Sequence, residues 1–489
     1  MLKWIYVGVA LIMMVSLTLN WCYQILSVTP GDGNDGIRLN TTEYGYFLHL
    51  TDVHLDTHYV PGATIKSSCH SLPESSNHGP VSGYFGHSTC DTPTALAQKT
   101  LDWVATEWKD KLDFVVWTGD NARHDWDKSM ERNRSDVYES NRIMVNMVRE
   151  ALGAIPVVPS LGNNDVIPHN EINLGRHGNN DTDRLLQFYL DLWQPWVPED
   201  QQQDFLKYGA FVADVGPGLR ALSLNSMYFI KKNKAMQGCR KPGGARQHMD
   251  WFKQQLVKAQ LDGYKVLVLG HVPPSEDNYR FSCLETYTHI SAVYSDVIIG
   301  HLYGHLNKDH FLLYDTSRPR LRTSDISNNR HQQQQQQQQH SMMAKLKVPK
   351  FAKQLHTMYA SIHPRPKQLG QLSSFATLPE KSPVVAIQVT PSVLPKYYPT
   401  VRLYRYTKKR GQIKLMGYDQ YFANISAWEQ STVHNYELLY STDLYGMKDL
   451  SPLGFYDLAK RMIDLRNKKS RRLWKTFVNN IFIHTRMID

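Results

Sequence analysis

Residues 113–125 read DFVVWTGDNARHD, an apolar run that ends in the polar triplet Gly119-Asp120-Asn121. The apolar run has the length and the β-branched composition of a buried strand. The triplet therefore falls where a strand of an α/β sheet would end, and binding sites in such sheets are built at strand ends. This stretch predicts a buried strand that delivers Asp120 to a site at the edge of a sheet.

Four other apolar runs end in the same way, at 44–51, 155–162, 264–270 and 296–300. Helical patterns at 92–110, 135–153 and 245–260 lie between the runs. Alternation of buried strands with helices predicts an α/β layered fold. The polar clusters that follow the four runs are Asp52-Val53-His54, Gly162-Asn163-Asn164-Asp165, Gly270-His271 and Gly304-His305-Leu306-Asn307.

The five clusters supply oxygen and nitrogen donors and no thiolate, a set that suits hard or borderline divalent metals. A pair of metals about 3.5–4 Å apart needs a bridging carboxylate, and Asp120 is suited to bridge. Asp52 and His54 reach one metal if the backbone bends after their strand. Asn163 and two imidazoles would complete the second metal. The pattern predicts a hydrolase in which metal-activated water attacks phosphorus.

The ordered clusters resemble the calcineurin-like metallophosphoesterase superfamily. Within it, GDNARHD at 119–125, GNNDVIPHN at 162–170 and GHLNKDHF at 304–311 resemble the fungal vacuolar endopolyphosphatases. The resemblance covers 44–314 strongly and 381–489 more loosely. It implies a β-sandwich of two mixed sheets flanked by helices. It also implies two divalent metal ions (Zn, Mn, Co, Mg or Fe) and hydrolysis of phosphoanhydride bonds within inorganic polyphosphate.

The resemblance also implies a ligand set, in which Asp120, Asn163 and His271 are catalytic. This sequence departs from the superfamily pattern at two positions. Asn307 stands in place of a histidine ligand, and Asn164 stands in place of the histidine that protonates the leaving group. His301 and His310 are left as structural or supporting residues. The first metal would be held by Asp52, His54, Asp120 and Asn307, and the second by Asp120, Asn163, His271 and His305.

Substrate contacts are predicted at Arg123, His124 and His169, with the two histidines as replacement proton donors. The alternative is an ordinary surface histidine for His124 and His169 and a solvated surface charge for Arg123. Arginine suits bidentate contact with phosphate, and Arg123 lies three residues from Asp120. Further basic candidates, each with solvated surface charge as the alternative, are Lys231, Lys232, Lys234, Arg240 and Lys241.

The N-terminal residues 4–26 carry no formal charge and are long enough to span a bilayer. We expect a single-pass type II anchor at 1–28 with the catalytic domain in the vacuole lumen; a cleaved signal peptide is the alternative. The domain division is then a linker at 29–43, a metallophosphoesterase domain at 44–315, a disordered Gln-rich insertion at 316–380, and C-terminal strands with a basic helical tail at 381–489.

Two further patterns agree with a lumenal position. Beyond the anchor lie four cysteines, for which the pairs Cys69–Cys90 and Cys239–Cys283 are expected, although spacing does not fix connectivity. N-glycosylation sequons occur at Asn40, Asn133, Asn180 and Asn424. The net charge of +10 is compatible with an anionic partner or with an ordinary basic protein. No nucleic acid partner is expected, and the oligomeric state is open.

Two other functions stay open from the sequence. One is a phosphodiesterase of the acid sphingomyelinase type, for which the sequence offers no evident apolar lipid-docking domain. The other is a non-catalytic phosphate-binding protein on the same scaffold, against which the retained ligand set argues.

Overall fold

The strands that precede Asp52 and Asp120 lie side by side. The computed structural model describes residues 44–74, 79–173, 180–317, 343, 347–363 and 383–488. In it, β1 (Tyr44–Leu50) and β4 (Leu112–Trp117) pair in parallel. Leu50 pairs with Trp117, so the two strands end at the same edge. Their polar clusters therefore meet at one end of the sheet.

Two six-stranded mixed sheets are formed by the described residues. The first, in the order β14-β13-β12-β1-β4-β5, adds β5 (Val157–Pro159), β12 (Thr400–Thr407), β13 (Leu415–Phe422) and β14 (Glu437–Ser441). The second, in the order β10-β11-β9-β8-β7-β6, contains β6 (Phe211–Gly216), β7 (Leu219–Ser223), β8 (Lys265–Leu269), β9 (Ile298–Tyr303), β10 (His310–Asp315) and β11 (Val384–Val389). A short parallel pair joins β2 (Leu55–Asp56) to β3 (Thr92–Pro93).

Helices connect and cover the strands. They are α1 (Thr94–Glu107), α2 (Arg134–Leu152), α3 (Asn180–Trp193), α4 (Gln202–Tyr208), α5 (Gly244–Leu261), α6 (Phe281–Val293), α7 (Lys350–Ser361), α8 (Ile425–Trp428), α9 (Pro452–Met462) and α10 (Lys468–Ile481).

The sheets pack face to face around one apolar core. Tyr404 of β12 donates its hydroxyl to Gln388 of β11 at 3.1 Å, and Ser223 of β7 donates to the carbonyl of Pro159 in β5 at 2.7 Å. The predicted α/β fold with mixed sheets and helices is confirmed.

The C-terminal strands complete both sheets, although the sequence division set them apart from 44–315. β11 pairs with β10 and β9, and β12 lies between β1 and β13. Leu394 donates its backbone N–H to the carbonyl of Asp52 at 2.9 Å. The C-terminal region is therefore part of the layer that holds the Asp52 cluster.

The prediction of disorder across 316–380 is wrong for α7. Its residues Ala352, Leu355 and Tyr359 recur at helical spacing and are buried, and Tyr359 donates its hydroxyl to the carbonyl of Phe311 at 2.8 Å. The prediction rested on the composition of the neighbouring glutamine tract and did not take the amphipathic spacing of this segment into account. The glutamine tract itself, the expected anchor at 4–26 and the linker at 29–43 lie outside the described residues.

Two disulfides are present, Cys69–Cys90 and Cys239–Cys283, with the expected pairing. Among the residues described, there is no helix both long enough and apolar enough to cross a membrane.

Candidate metal centre

Asp120 is the central residue of the site. Its Oδ2 lies 3.0 Å from His271 Nε2 and 3.5 Å from His54 Nε2. His271 Nε2 also lies 3.0 Å from Asn163 Oδ1. Asp120 is 2 % exposed, so a carboxylate, two imidazoles and an amide oxygen converge in a buried space. These residues come from the ends of β1, β4, β5 and β8, so the two sheets each contribute to one centre.

The two histidines next to Asp120 are oriented by backbone carbonyls. His271 Nδ1 lies 2.7 Å from the carbonyl of Thr118, and His54 Nδ1 lies 3.1 Å from the carbonyl of Ala122. A carbonyl only accepts, so each Nδ1 carries the donated hydrogen. Each ring is therefore held with Nε2 directed at Asp120, which is how histidine ligands to metals are commonly fixed.

The Asp52 end of the site contains oxygen atoms without donors. Asp52 Oδ1 and Asn307 Oδ1 are buried, and within the described part of the chain neither has a hydrogen-bond partner. The nearest imidazole nitrogen to Asp52 Oδ1 is His54 Nε2 at 3.7 Å, which is too long for a hydrogen bond. Asp52 Oδ2, in contrast, accepts the backbone N–H of His305 at 2.8 Å. Buried oxygens without donors are what a cation site requires.

The described donors therefore fit two metals that share Asp120. The ligand atoms of Asp52, His54 and Asp120 lie within 4.8 Å of one another, and so do those of Asp120, His271 and His305. Oxygen and imidazole nitrogen suit borderline divalent cations and do not distinguish among them. A third group of this kind, His54, Asp91 and His124, borders the first.

Backbone strain is concentrated at these ligands. A positive φ is rare for residues other than glycine, and in loops it often marks functional sites. The bend after β1 that the sequence reasoning required is present, because the residues on either side of Val53 both have this conformation. The candidate ligands with positive φ are Asp52 (50°), His54 (50°), Asp120 (57°), His305 (72°) and Asn307 (54°).

The negative charge of the site acts on its histidines. Burial by itself would lower the pKa of His54, but contact with Asp52 and the charges of Asp120 and Asp91 outweigh it and raise that pKa to about 9. Burial likewise opposes, and the charges of Asp120 and Asp52 then raise, the pKa of His271 to about 9. The site therefore attracts positive charge strongly.

Asp165 shapes the Asp120 loop and was not assigned a role from the sequence. Its Oδ2 accepts the backbone N–H groups of Asp120 at 2.8 Å and Gly162 at 3.0 Å. Its Oδ1 accepts those of Asn121 at 2.8 Å and Ala122 at 3.1 Å. Burial and the charge of Asp120 raise the pKa of Asp165, whereas the backbone donors favour its ionised form. The only sequence signal was its place at the end of the Gly162–Asp165 cluster.

Asn164 braces Asp120 and is itself braced by Arg132. It donates its backbone N–H to Asp120 Oδ1 at 2.7 Å and its side-chain amide to Oδ2 at 2.8 Å. Arg132 Nη1 donates to the carbonyl of Asn164 at 2.7 Å. Arg132 had no motif to mark it, because it lies on the loop before α2. At position 164, where the superfamily has a proton-donating histidine, this chain therefore has a residue that holds the bridging carboxylate in place.

The structure assigns Arg123 an internal role that the sequence analysis did not expect. Arg123 is 2 % exposed, and its guanidinium donates to the carbonyls of His124 and Met130 and to Asp136. These partners occupy it within the fold. Its closeness to Asp120 in sequence does not bring its side chain to the open side of the site.

The two predicted histidine contacts lie beside the centre. His169 is exposed, and its Nε2 accepts the side-chain amide of Asn163 at 2.8 Å. His124 stacks on His54, with ring centroids 3.9 Å apart, and its Nδ1 lies 2.7 Å from Asp91 Oδ1. Burial lowers the pKa of His124 most, and the charge of His54 adds to this. Both residues therefore contact proposed ligands.

The other basic and histidine candidates divide by position. His301 and His310 are buried in β9 and β10, where the structure gives them packing roles. Lys231 donates to the carbonyl of Glu276, and Arg240 pairs with Glu285. The remaining candidates, Lys232, Lys234 and Lys241, are exposed.

Three of the four sequons fall at helix starts in the described residues. Asn133 accepts the N–H of Asp136 at 3.1 Å and caps α2, and Asn424 accepts that of Ala427 at 3.2 Å and caps α8. Asn180 begins α3. Asn40 lies outside the described residues. Glycosylation at these sites stays a prediction.

Comparison with known proteins identifies the family. Residues 45–308 match the calcineurin-like phosphoesterase family, a span that includes every predicted ligand. The chain belongs to this family. Residues 374–484 match the acid sphingomyelin phosphodiesterase C-terminal region. Family membership agrees with the superfamily resemblance drawn from the five clusters.

Curated relatives match part of the chain. It is 32 % identical over 410 residues to an endopolyphosphatase of Cryptococcus neoformans, covering 74 % of this chain and 58 % of that protein. It is 38 % identical over 293 residues to an endopolyphosphatase of Saccharomyces cerevisiae, covering 57 % and 42 %. The matched region is thus about half the length of these relatives. A solved dimetal phosphatase from Danio rerio is similar at a TM-score of 0.37 and 11 % identity, covering 76 % of this chain and 98 % of that chain.

Proposed function

We propose that the protein is an endopolyphosphatase that hydrolyses phosphoanhydride bonds within inorganic polyphosphate. The observation that carries the proposal is the convergence of two ligand groups on Asp120. The two endopolyphosphatase relatives, 32 % and 38 % identical to this chain, supply the substrate class.

The residues of the chain have distinct roles in this proposal. One cation would be held by Asp52, His54, Asp120 and Asn307, and the other by Asp120, Asn163, His271 and His305. When bound, two divalent cations supply an acidified water and neutralise charge on the phosphoryl group. The backbone carbonyls behind His54 and His271 keep both Nε2 atoms turned inward, and Asp165 and Asn164 fix the bridging carboxylate.

The Asn164 position favours a substrate with a good leaving group. Asn164 uses its amide to hold Asp120 and has no titratable proton to give. A phosphate leaving group needs less protonation than an alkoxide, so polyphosphate tolerates the loss of the acid. Asn164→His should then raise activity on alkyl phosphoesters with little change on polyphosphate. Equal changes on both substrates would contradict this explanation.

The function is tested by incubating the purified full-length protein with long-chain polyphosphate and following chain length on a gel. Rapid shortening of the whole population is expected with added Mn²⁺, Zn²⁺, Co²⁺, Mg²⁺ or Fe²⁺, and none with a chelator. Asp120→Asn should abolish shortening, whereas Asp110→Asn, an exposed carboxylate near the start of β4, should leave it unchanged. Absence of cleavage with every one of these metals would refute the proposal, and slow release of phosphate alone would indicate cleavage from the ends.

A phosphodiesterase of the acid sphingomyelinase type is the second candidate. The match of residues 374–484 to the C-terminal region of acid sphingomyelin phosphodiesterase favours it. Sphingomyelin in mixed micelles belongs in the same assay. Faster turnover of sphingomyelin than of polyphosphate, abolished by Asp120→Asn, would replace the first proposal with the second.

For location, we propose a single-pass anchor at residues 4–26 with the catalytic region in the vacuole lumen. The uncharged length of this run and the two disulfides support the proposal, because disulfides persist in oxidising compartments. Resistance to carbonate extraction together with protection from added protease in intact vacuoles is expected. Release by carbonate would contradict the anchor.

A further inference from the structure

Three cations surround the loop that carries Asn307. Lys308 follows Asn307 directly. The Asp309 N–H donates to the carbonyl of Ile481 at 3.1 Å, which brings the end of α10 and the following Arg486 to this loop. The Arg486 guanidinium lies 5.7 Å from the ring centroid of Tyr397, the residue after Lys396. Lys308 is half-buried, while Lys396 and Arg486 are exposed. Residues far apart in sequence therefore place three positive charges within electrostatic reach of one another beside a proposed ligand. We call Lys308, Lys396 and Arg486 the Asn307-side cluster.

Aromatic rings and the backbone hold this cluster in place. Lys308 Nζ lies 5.0 Å from the centroid of Phe351, and the Arg486 guanidinium lies 5.7 Å from that of Tyr397. The Lys396 N–H donates to the carbonyl of Leu394 at 2.7 Å, and the Leu394 N–H donates to that of Asp52 at 2.9 Å. Lys396 is thus two hydrogen bonds away from a proposed metal ligand. The cluster borders the Asp52 and Asn307 end of the centre.

The cluster has no internal counter-charge among the residues described. Within that part of the chain, no carboxylate oxygen lies within 4.0 Å of Lys308, Lys396 or Arg486. Like charges held together repel, and the repulsion is relieved when an anion binds. Such a surface beside a phosphohydrolase centre suits a polyanion.

A second basic group borders the other end of the centre. Arg132 Nη1 bonds to the carbonyl of Asn164. Lys232 precedes Asn233, whose side-chain amide donates to the carbonyls of Ile172 and Met227, each at 2.9 Å. Ile172 lies on the loop that also carries Asn163 and His169, so Lys232 lies on the Asn163 side of the centre. Lys232 is exposed, and it too has no carboxylate within 4.0 Å in the described residues. We call Arg132 and Lys232 the His305-side pair.

We propose that the Asn307-side cluster and the His305-side pair bind phosphate groups of one linear polyphosphate chain on the two sides of the hydrolysed bond. This inference rests on the endopolyphosphatase function proposed above. A chain held on both sides of the centre is cut internally, whereas a pocket with cations on one side would favour chain ends. Lysine and arginine contacts to phosphate also make binding depend on salt.

The test removes the cluster's charge and keeps its apolar stems, in the triple variant Lys308→Met, Lys396→Met and Arg486→Met. The matched control is Lys409→Met, Arg410→Met and Lys414→Met, which removes two lysines and one arginine from the β12–β13 turn. That turn lies at the Tyr44 end of β1, since Tyr44 pairs with Thr407, roughly 25 Å from Asp52 at 3.3 Å per residue.

Binding of long-chain polyphosphate is measured first, in an Asp120→Asn background that does not turn over. The cluster variant should bind about tenfold or more weakly, with the slope of log K against log salt reduced by roughly 2 for three lost contacts. In the active background its KM for long chains should rise while kcat and turnover of tripolyphosphate change little. The control triple variant should match the parent protein in every measurement.

Three results would overturn the inference and leave the proposed function intact. One is an unchanged Kd and salt slope in the cluster variant of a protein that cleaves polyphosphate. A second is equal weakening in the control triple variant. The third is a cluster variant that loses binding to phosphatidylserine vesicles but binds polyphosphate as tightly as the parent protein. That result would assign the basic surface to a membrane. If the parent protein cleaves no polyphosphate, the proposed function is refuted instead. The binding measurement then tests independently whether the basic surface binds polyphosphate.

Discussion

Asn307→Gly should change the stability of the protein in opposite directions with and without bound metal. Asn307 Oδ1 is buried and has no donor among the described residues. Leaving such an acceptor unsatisfied costs about 1–3 kcal/mol. Glycine accepts the φ of 54° at this position, at a cost of about 0.4–1 kcal/mol in unfolded-chain entropy. The metal-free variant should therefore be about 1 kcal/mol more stable than the parent protein.

Bound metal should reverse this sign. Even outer supports of a metal site are worth tenfold to 100-fold in affinity, and we take loss of a direct ligand as at least ~100-fold, or ~2.7 kcal/mol. At saturating metal for the parent protein, the variant should then be about 1–2 kcal/mol less stable, because stabilisation by a ligand follows its dissociation constant.

Guanidinium unfolding in a chelator and in excess Mn²⁺ or Zn²⁺ measures both free energies of unfolding. The matched control is Asn170→Gly, since Asn170 also has a positive φ (67°) and a buried Oδ1 with no donor in the described residues, but is not a proposed ligand. It should show the gain without the reversal. If Asn307→Gly shifts stability by the same amount and sign in both conditions, Asn307 does not bind metal.

Three other changes have expected outcomes. Asp165→Asn should cost about 3 kcal/mol or more and weaken metal binding, because two of its charge-assisted hydrogen bonds are lost, and an unchanged metal affinity would contradict its role in placing the Asp120 loop. Arg402→Leu should lower the free energy of unfolding by about 3–5 kcal/mol, because it leaves Asp309 buried without the guanidinium that lies 2.5 Å away. The double variant with Asp309→Leu should recover much of this loss, measured by guanidinium unfolding. Equal losses in the single and double variants would contradict the explanation by a buried ion pair. The hydrogen bond to Asp56 raises the pKa of His70, so His70→Gln should cost most stability below about pH 6.5 and progressively less as pH rises through the raised value; a loss that does not vary with pH would contradict this.

The order and chemistry of the centre could be predicted from sequence. Each of the clusters follows an apolar run, and strand periodicity is a local property that a run of valines and leucines shows directly. The bend that lets Asp52 and His54 reach one metal was required by the alternation of side chains along a strand. The structure supplies it with two positive φ angles. Matching the superfamily's motif spacing selected His305 over His301 and His310, and the latter two are packed inside strands.

Only the tertiary structure decided which residues support that centre. Asp165 had no motif of its own, and its four backbone donors come from two loops after different strands. Arg123 was favoured because it is near Asp120 in sequence, yet its side chain turns inward, while Arg132 reaches Asn164. Side-chain direction in a loop depends on φ, ψ and packing, which sequence spacing does not specify.

What the sequence by itself determined is the set of donor atoms and their delivery at strand ends. What the tertiary structure decided is the assembly of those ends across two sheets, with β12 of the C-terminal region next to β1. Long-range backbone contacts likewise bring the segments of Lys396 and Arg486 to the Asp52 and Asn307 loops, since the Leu394 N–H donates to the carbonyl of Asp52 and the Asp309 N–H donates to that of Ile481. Strand propensity and metal chemistry are written in a few neighbouring residues. The packing of segments hundreds of residues apart depends instead on the whole apolar core, which local patterns do not encode.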